Sequence, residues 1–436
     1  MESQPSHSAP LPRRSEPEAG RRILVRGPNW LGDAVMTTPA LLRLRETFPD
    51  AHIALLTPEK LHDLWVSHPT VNETISIAPD ENVFSVGRKL RWWGEAPDEP
   101  PPLRSGAPSP AREDQSSPGY DATGARPTRA AAKLRAGNFD LALVLPNSPR
   151  SAIETWLARI PQRIGYARPW RNFFLTHAIA PRPGAVKMQK RSVAEIKRLV
   201  AADVIRRTLH EDRALTSAAT AHQIHEYLHL VAALGANPEP LAPQLFVSPE
   251  EIETAKKKFG LEKITNPIFG LHPGAEYGPA KRWPVERFIA AAREIQNRTN
   301  CAWLIFGARS DVEIVNQIAS QLPSANSHLL NLAGKTSLHE LMALLKLCRV
   351  LLTNDSGPMH VAAALGTPVV VPFGSTSPEL TGPGLPGDPR HRLLKSDAPC
   401  SPCFLRECPI DFRCMNGIGV ERVVEVVLSC SGALVK

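Results

Sequence analysis

Short apolar runs alternate with amphipathic stretches along most of the chain, and this alternation predicts β-strands followed by α-helices. Ile23–Val25 is apolar throughout, and Ala34–Phe48 repeats apolar positions at helical spacing before Pro49. The runs Phe139–Leu145 and 267–272 have the same character, and each precedes a polar turn and a helical pattern. Strands that alternate with helices form parallel sheets with helices on both faces. The predicted fold class is therefore α/β.

The alternation occurs twice, which predicts two Rossmann-like domains, as the length of 436 residues also suggests. We predict a disordered tail at 1–21, domains at 22–245 and 246–415, and a carboxyl-terminal helix and tail at 416–436. From Gly94 to Thr128, Pro, Gly, Ser and charges dominate, which predicts a disordered insertion in a surface loop. Ligands of open α/β sheets bind at the carboxyl ends of the strands, so two facing edges predict a central cleft.

The charge balance is basic, with a formal net charge of +8 and a pI of about 9.2. Such a balance suits nucleic acid, a membrane surface or an anionic substrate. Lysine and arginine do not form long blocks interleaved with aromatic residues, which disfavours nucleic acid. The chain has no apolar run of membrane-spanning length, and its amino end lacks the apolar core of a signal peptide. These features predict a cytoplasmic protein.

Polar residues crowd the point where a predicted strand of the second half becomes a helix, in the sequence DSGPMH. A helix N-terminus presents unpaired N–H groups and a partial positive charge. Ser356 and Gly357 would let a phosphate approach the backbone closely. Asp355 could cap the helix or accept hydrogen bonds from a sugar, and His360 lies one turn further on. Capping alone would explain Asp355 or Ser356 taken singly, but the whole cluster favours a ligand in the cleft.

A second loop, HPGAEYGPAKRWP at His272–Pro284, follows another predicted strand of the same half. Gly274 and Gly278 predict a flexible loop. Lys281 would lie just before the next helix, where a lysine can neutralise a leaving diphosphate. A solvated surface lysine is the alternative interpretation.

The first half has a matching loop, PNWLGDAVMTTPA at Pro28–Ala40, with Asp33 at the start of its helix. Asp33 could cap that helix, or it could be a general base directed into the cleft. The helix N-terminus is expected to keep this carboxylate ionised.

Four cysteines near the carboxyl end, Cys400, Cys403, Cys408 and Cys414, follow a C-x2-C-x4-C-x5-C pattern. Four thiolates suit a structural zinc ion or an iron–sulfur cluster. The spacing differs from a zinc ribbon with two C-x2-C knuckles, so reduced structural thiols and a local disulfide are alternatives.

Together these motifs resemble the lipopolysaccharide heptosyltransferases of glycosyltransferase family 9, and the cysteine-rich end favours the type II branch. The resemblance rests on RGPNWLGDAVMTTPAL, LPNSPRSA, RIGY, HPGAEYGPAKRWP, TNDSGPMHVAAALGTPVVVPFGSTSPELTGP and the cysteines. It implies a GT-B fold, with two Rossmann-like domains facing a cleft. It also implies inverting transfer of heptose from ADP-L-glycero-D-manno-heptose to the inner-core heptose of Kdo–lipid A. A GT-B transferase for another nucleotide sugar and a non-catalytic nucleotide-binding module are the alternatives.

The resemblance also assigns roles to residues. Asp33 would be the base on the acceptor hydroxyl, and Lys281 would meet the diphosphate. The donor would be bound by Gly274, Asp355, Ser356, Gly357 and His360. The first domain would bind the acceptor, through Asn147, Ser148, Arg150 and Arg163. We expect no catalytic metal or other cofactor, no nucleic-acid partner, and a location at the cytoplasmic face of the inner membrane.

Overall fold

The computed structural model describes residues 20–91, 139–186, 188–206, 221–322 and 329–432. The predicted insertion at 94–128 and all but the last two residues of the predicted tail lie outside these ranges. The strands are β1 Arg22–Arg26, β2 His52–Pro58, β3 Glu73–Ile77, β4 Leu141–Val144, β5 Gln162–Tyr166, β6 His177–Ile179, β7 Ile268–His272, β8 Ala302–Ile305, β9 Leu329–Asn331, β10 Leu351–Thr353, β11 Val369–Pro372 and β12 Arg392–Leu394. The helices are α1 Leu31–Met36, α2 Thr38–Thr47, α3 Val83–Arg91, α4 Pro149–Leu157, α5 Val193–Arg206, α6 Ile224–Ala232, α7 Pro249–Lys258, α8 Val285–Thr299, α9 Val312–Gln321, α10 Leu338–Leu347, α11 Gly357–Ala364, α12 Pro378–Thr381, α13 Arg413–Asn416 and α14 Val420–Ser431.

The strands form two six-stranded parallel sheets with the same topology. The first has the order β3-β2-β1-β4-β5-β6, and the second has the order β12-β11-β10-β7-β8-β9. Counted from its own first strand, each sheet follows the doubly wound order 3-2-1-4-5-6 of the Rossmann fold. The crevice that binds ligands in this topology lies where the strand order reverses, between β1 and β4 in one sheet and between β7 and β10 in the other.

The first helical segment is divided at Thr37, although its apolar spacing predicts one helix from Ala34 to Phe48. Pro39 has no N–H and cannot donate to the carbonyl of Val35. The hydroxyl of Thr38 donates to that carbonyl instead, at 2.8 Å, and the hydroxyl of Thr37 donates to Ala34 at 2.6 Å. The chain therefore turns slightly at Thr37 and continues as α2.

The two domains meet through α1 and α11. One apolar cluster runs through both domains and includes Val35 of α1 and Val361 of α11. Two glycines make the contact close. A Cβ atom on Gly32 would lie 2.7 Å from Cδ2 of His360, and a Cβ on Gly357 would lie 2.8 Å from Cδ2 of Leu31. The starts of these two helices are therefore packed directly against each other.

The carboxyl-terminal elements belong to the second domain. Helix α14 contacts α8, and Val423 and Val427 lie in the same apolar cluster as Phe288. The cysteine-rich segment, residues 398–418, covers the loop that follows β7. The amide of Ala280 donates to the carbonyl of Arg406 at 2.9 Å, and the hydroxyl of Tyr277 donates to the carbonyl of Phe404 at 2.8 Å.

Candidate active site

The four sequence motifs lie at the ends of the four strands that flank the two switch points. The loop with Asp33 follows β1, and the PNSPRS turn follows β4. The loop with Lys281 follows β7, and DSGPMH follows β10. Parallel strands bring these loops to the carboxyl edge of each sheet, and the contact between α1 and α11 brings the two edges together. Residues far apart in sequence are thus assembled into one site.

Asp33 lies in the first turn of α1, half-buried beside the second domain. Its Oδ1 atom accepts a hydrogen bond of 3.0 Å from Nε2 of Gln223, which also donates to the hydroxyl of Tyr227. Burial raises the pKa of the Asp33 carboxyl, and the Gln223 hydrogen bond and the charge of Lys281 offset part of the rise. Burial thus opposes the stabilising effect expected from the N-terminus of α1, a helix of only six residues, and an ionised Asp33 stays a prediction.

Lys281 reaches the same space from the second domain. Its Nζ atom lies 2.7 Å from Oδ2 of Asp355 and 5.0 Å from the centre of the Tyr277 ring. The hydroxyl of Thr376 donates to the same Asp355 oxygen. These contacts exclude a solvated surface position for Lys281. They fix the ammonium group at the carboxyl edge of the second sheet, where an anionic leaving group would meet it.

Asp355 holds Lys281 and does not cap α11. The N-cap residue of α11 is Ser356, and its side chain makes no capping hydrogen bond. The Ser356 hydroxyl lies 3.3 Å from Nδ1 of His272. The Ser356 side chain therefore leaves the N–H groups at the start of α11 uncapped. Phosphate binding at this helix N-terminus, through Ser356 and Gly357, stays a prediction that the geometry allows.

His360 is buried at the contact between the domains, packed on the backbone of Gly32. Burial lowers the pKa of His360 to about 4, and the neighbouring Asp355 offsets part of this effect. The ring is therefore neutral near pH 7. Its Nδ1 atom is buried without a hydrogen-bond partner among the described residues. Such an atom is costly to leave unpaired, which is consistent with a ligand contact.

The glycines of the Lys281 loop are packed against neighbouring segments, and the flexibility expected of this loop stays a prediction. A Cβ on Gly274 would lie 2.2 Å from Oδ2 of Asp311, and a Cβ on Gly278 would lie 2.5 Å from the carbonyl oxygen of Arg406. Gly278 also has a φ of 150°. Its absent side chain lets the cysteine-rich segment pack onto the loop. The face of Gly274 that would carry a side chain is packed on Asp311, and donor binding by its backbone stays a prediction.

On the acceptor side, Asn147, Ser148 and Arg150 are exposed at the carboxyl end of β4, as predicted for a ligand-binding edge. Ser148 caps α4 by accepting from the amide of Ser151. Arg150 pairs with Glu154 at 2.9 Å, and Glu154 also forms a buried ion pair of 2.8 Å with Arg26. This pair ties the end of β1 to α4 and so fixes the two loops of the first switch point.

Arg163 does not lie with the other three acceptor-side residues. It is the second residue of β5, near the amino edge of the sheet, and Nε donates to the carbonyl of Phe174 at 2.8 Å. Its Nη1 atom donates to the carbonyl of Ile160. This placement argues against a role in acceptor binding. Arg171 occupies the cleft edge instead, fully buried, with Nη1 3.3 Å from Oδ1 of Asn147.

The four cysteines of the predicted metal motif line one small cavity of about 10 Å³, and none forms a disulfide. The amide of Phe412 donates to Sγ of Cys408 at 3.3 Å. Burial raises the pKa of the Cys414 thiol to about 12. Within the described ranges, no group of three or more His, Cys, Asp or Glu residues is arranged to hold a metal ion. A metal at these cysteines is supported by their shared cavity and not by ligand geometry.

Sequence reasoning did not identify Gln223, Tyr227, Asn354 or Thr376 as parts of the site. Asn354 donates to the carbonyl of Pro273 at 2.7 Å and accepts from the amide of Trp283 at 2.9 Å, joining the two loops of the second domain. Asn354 and Thr376 follow β10 and β11, so their position at strand ends could have marked them. No local pattern pointed to Gln223, which is 190 residues from Asp33 in sequence.

The buried histidines predict a marked loss of stability on mild acidification. Burial lowers the pKa to about 4 in His68, His222, His272, His360 and His391. The unfolded chain therefore binds more protons than the folded protein from the ordinary histidine pKa of 6.5 down to about 4. We expect the free energy of unfolding to fall by more than about 2 kcal/mol between about pH 7 and about pH 4.5. Urea titrations across this range would measure it, and a flat profile would contradict the prediction.

Comparison with known proteins shows similarity to one family of glycosyltransferases. A model of glycosyltransferase family 9 (heptosyltransferase) matches residues 191–412. Lipopolysaccharide heptosyltransferase 2 of Salmonella typhimurium is 32% identical over 365 residues, covering 83% of this chain and 85% of that protein. Its namesake from Escherichia coli K12 is 30% identical over 370 residues, with the same coverage.

Solved structures give the same result for the fold. The structure of E. coli ADP-heptose lipopolysaccharide heptosyltransferase II aligns with a TM-score of 0.65 and 26% identity, covering 94% of this chain and 98% of that chain. A glycosyltransferase family 9 structure from Veillonella parvula, 20% identical, aligns with a TM-score of 0.63, covering 94% and 97%. The predicted GT-B architecture of two Rossmann-like domains is confirmed.

Proposed function

The chain belongs to glycosyltransferase family 9, the heptosyltransferases, and we propose that it transfers heptose from ADP-L-glycero-D-manno-heptose to the inner-core heptose of Kdo–lipid A. This reaction would place it in lipopolysaccharide core biosynthesis as a type II enzyme. Similarity over most of the chain to proteins named heptosyltransferase 2 supports the choice of donor. It favours heptose over another sugar and a transferase over a module that only binds nucleotides.

The observation that carries the proposal is the meeting of Asp33 and Lys281 from opposite domains. Asp33 follows Gly32, which packs on His360 of α11, and Lys281 pairs with Asp355, two residues before α11 begins, so the carboxyl and the ammonium lie at the same junction. Asp33 is held by Gln223, and Lys281 is held by Asp355. A base and a cation held at the junction of the two domains are the two groups that an inverting glycosyl transfer needs.

The proposed reaction uses these groups in one displacement. The oxygen of the acceptor hydroxyl attacks the anomeric carbon of heptose, and Asp33 accepts the proton that this hydroxyl loses. The bond from that carbon to the diphosphate oxygen breaks, and ADP leaves with the bonding electrons on the opposite face of the sugar. Lys281 and the N–H groups at the start of α11 stabilise the negative charge that develops on the diphosphate. The configuration at the anomeric carbon is inverted.

We further propose that the protein works at the cytoplasmic face of the inner membrane, where a lipid-linked acceptor would lie. None of the helices in the described part of the chain combines the length and apolarity needed to span a bilayer. Association would therefore use the protein surface. The positive net charge suits an acceptor that carries carboxylates and phosphates in an anionic bilayer.

The direct test is a transfer assay with purified protein, ADP-heptose and mono-heptosylated Kdo–lipid A, read by mass spectrometry. We expect the acceptor to gain the mass of one heptose and ADP to be released. Preferential use of another sugar nucleotide in a donor panel would contradict the choice of heptose. Binding of ADP without product at any protein concentration would support a non-catalytic module instead.

Catalysis is expected to need no metal ion, because Lys281 and the start of α11 supply positive charge where the diphosphate would lie. Transfer should keep its rate when the assay contains a strong chelator. A loss of activity that added magnesium or zinc restores would contradict this expectation. Elemental analysis of the same preparation, purified without oxygen, would measure zinc and iron at Cys400, Cys403, Cys408 and Cys414. One equivalent of either metal would support the structural metal site.

A further inference from the structure

The segment between β5 and β6, residues 167–176, holds two large aromatic side chains in solvent. Trp170 is 90% exposed and Phe173 is 81% exposed. The ring of Phe173 contacts Phe174 edge to face at 5.4 Å, and Phe174 contacts Trp156 of α4 at 5.6 Å. Trp156 is itself 42% exposed. We call these four residues the aromatic patch.

The exposure of these rings is imposed by a rigid anchor beneath them. The buried guanidinium of Arg171 donates to the carbonyl of Val144 at 3.1 Å and to that of Tyr166 at 3.2 Å, at the carboxyl ends of β4 and β5. The Asn172 side chain accepts from the amide of Arg168 at 2.8 Å. Trp170 has a φ of 62°, in the left-handed region. A non-glycine residue in that region carries backbone strain.

The stretch of sequence around the aromatic patch has a large excess of positive charge. Residues 150–200 contain eleven lysines and arginines and only two carboxylates, whereas the net charge of the whole chain is +8. Six of the ten exposed large apolar side chains in the described ranges also lie in this stretch. They are Trp156, Trp170, Phe173, Val186, Met188 and Val193. Apolar exposure and positive charge are thus concentrated in one stretch of the sequence, although Arg171 is buried and Arg150, Arg182 and Arg191 pair with carboxylates.

We propose that the aromatic patch and the basic residues around it dock the protein on an anionic phospholipid bilayer. The proposal rests on the proposed function, because a lipid-linked acceptor would place the substrate in such a bilayer. Tryptophan and phenylalanine partition into the interface of a bilayer, and lysine and arginine are attracted to anionic headgroups. The excess of eleven lysines and arginines over two carboxylates in residues 150–200 favours an anionic surface as the occupant.

The position of the patch fits this use. Its segment begins at the carboxyl end of β5, and its anchor Arg171 contacts Asn147 on the acceptor side of the cleft. A bilayer bound at the patch would therefore lie beside the first domain, the domain expected to take the acceptor. The sugar end of an embedded acceptor could then enter the cleft while its lipid end stays in the membrane.

Vesicle co-sedimentation tests the docking surface without donor or acceptor. The variant is Trp170→Asn with Phe173→Asn, since asparagine tolerates the left-handed backbone at position 170. The matched control is Phe84→Asn, which removes an exposed ring at the amino end of α3, on the same domain. We expect the wild type and the control to bind vesicles of phosphatidylglycerol and phosphatidylethanolamine, less so at high salt. The double variant should bind about tenfold more weakly.

Three results would overturn the proposal. They are equal binding by the double variant, no binding by the wild type, and a dimer of the wild type that the double variant abolishes. The last would assign the patch to a second copy of the chain.

Transfer assays separate this proposal from the proposed function. With a deacylated, water-soluble acceptor the double variant should match the wild type, which also shows that it folds. With the acceptor embedded in vesicles its rate should fall about tenfold. Vesicle binding without transfer to either acceptor would contradict the function and leave the docking surface standing. Transfer to the soluble acceptor without vesicle binding would contradict the docking surface and leave the proposed function standing.

Discussion

Replacing Asp33 with asparagine is expected to slow heptose transfer by a factor of about 10² to 10⁴, the usual contribution of a general base. Asparagine keeps the acceptor atom for the Gln223 hydrogen bond, so the local structure should persist. Since burial raises the pKa of Asp33, its ionised form disfavours the folded state, and the variant should be at least as stable as the wild type near pH 7. Turnover measured by ADP release, together with urea unfolding, checks both expectations.

The pH profile gives this prediction a second readout. A base must be ionised to act, so the rate of the wild type should fall as the pH falls through the raised pKa of Asp33. Gln223→Leu removes a hydrogen bond that lowers this pKa and should shift the acid limb to higher pH. Asp33→Asn should have no such limb. Near wild-type turnover in a folded Asp33→Asn protein would rule out Asp33 as the base.

Replacing Lys281 with methionine is expected to slow transfer by a factor of about 10² to 10³, the usual effect of removing one group that stabilises transition-state charge. The variant also leaves Asp355 buried without its cation, which should destabilise the fold by about 3 kcal/mol. Turnover at saturating donor and the free energy of unfolding measure the two effects. The loss should appear mainly in kcat if Lys281 acts on the leaving group.

A double variant separates the catalytic effect from the structural one. Adding Asp355→Asn to Lys281→Met removes the unpaired carboxylate and should restore most of the stability, while turnover stays low. Lys258→Met is the matched control. Lys258, at the end of α7, also pairs with a carboxylate, that of Glu340 in α10, and this pair contains none of the residues of the candidate site. It should keep full activity. If the double variant regained turnover together with stability, the role of Lys281 would be structural and not catalytic.

The sequence predicted the architecture well because strand and helix patterns are local. The predicted strand 23–25 is the centre of β1, and the helical pattern predicted after Phe139–Leu145 is α4. Two details were missed for physical reasons. Apolar spacing alone does not register that Pro39 cannot donate a hydrogen bond, so the break at Thr37 was not predicted. Strand β6, residues His177–Ile179, has only three residues and too little pattern to be recognised.

The site was predicted only in part, because its contacts join distant segments. Strand-end position was enough to select Asp33, Lys281 and Asp355. The pairing of Lys281 with Asp355 was not predictable, since 74 residues separate them and only the β7–β10 neighbourhood brings them together. The effect of burial on Asp33 also depends on the second domain, which no local pattern describes. Arg163 was predicted to bind the acceptor because it lies in the RIGY motif, but it is near the amino end of β5, at the edge of the sheet opposite the site.

The contact between α1 and α11 constrains how substrates can enter and leave. Gly32 and Gly357 let the side chains of His360 and Leu31 pack directly on the backbone of the opposite helix, and an apolar cluster continues across the junction. Pulling the domains straight apart there would expose that cluster to water, at a cost that grows with its area. The junction is therefore expected to stay closed while the lobes tilt to exchange ADP and product. A methyl group added at Gly32 would meet Cδ2 of His360 across this junction, and steady-state turnover of Gly32→Ala is expected to fall.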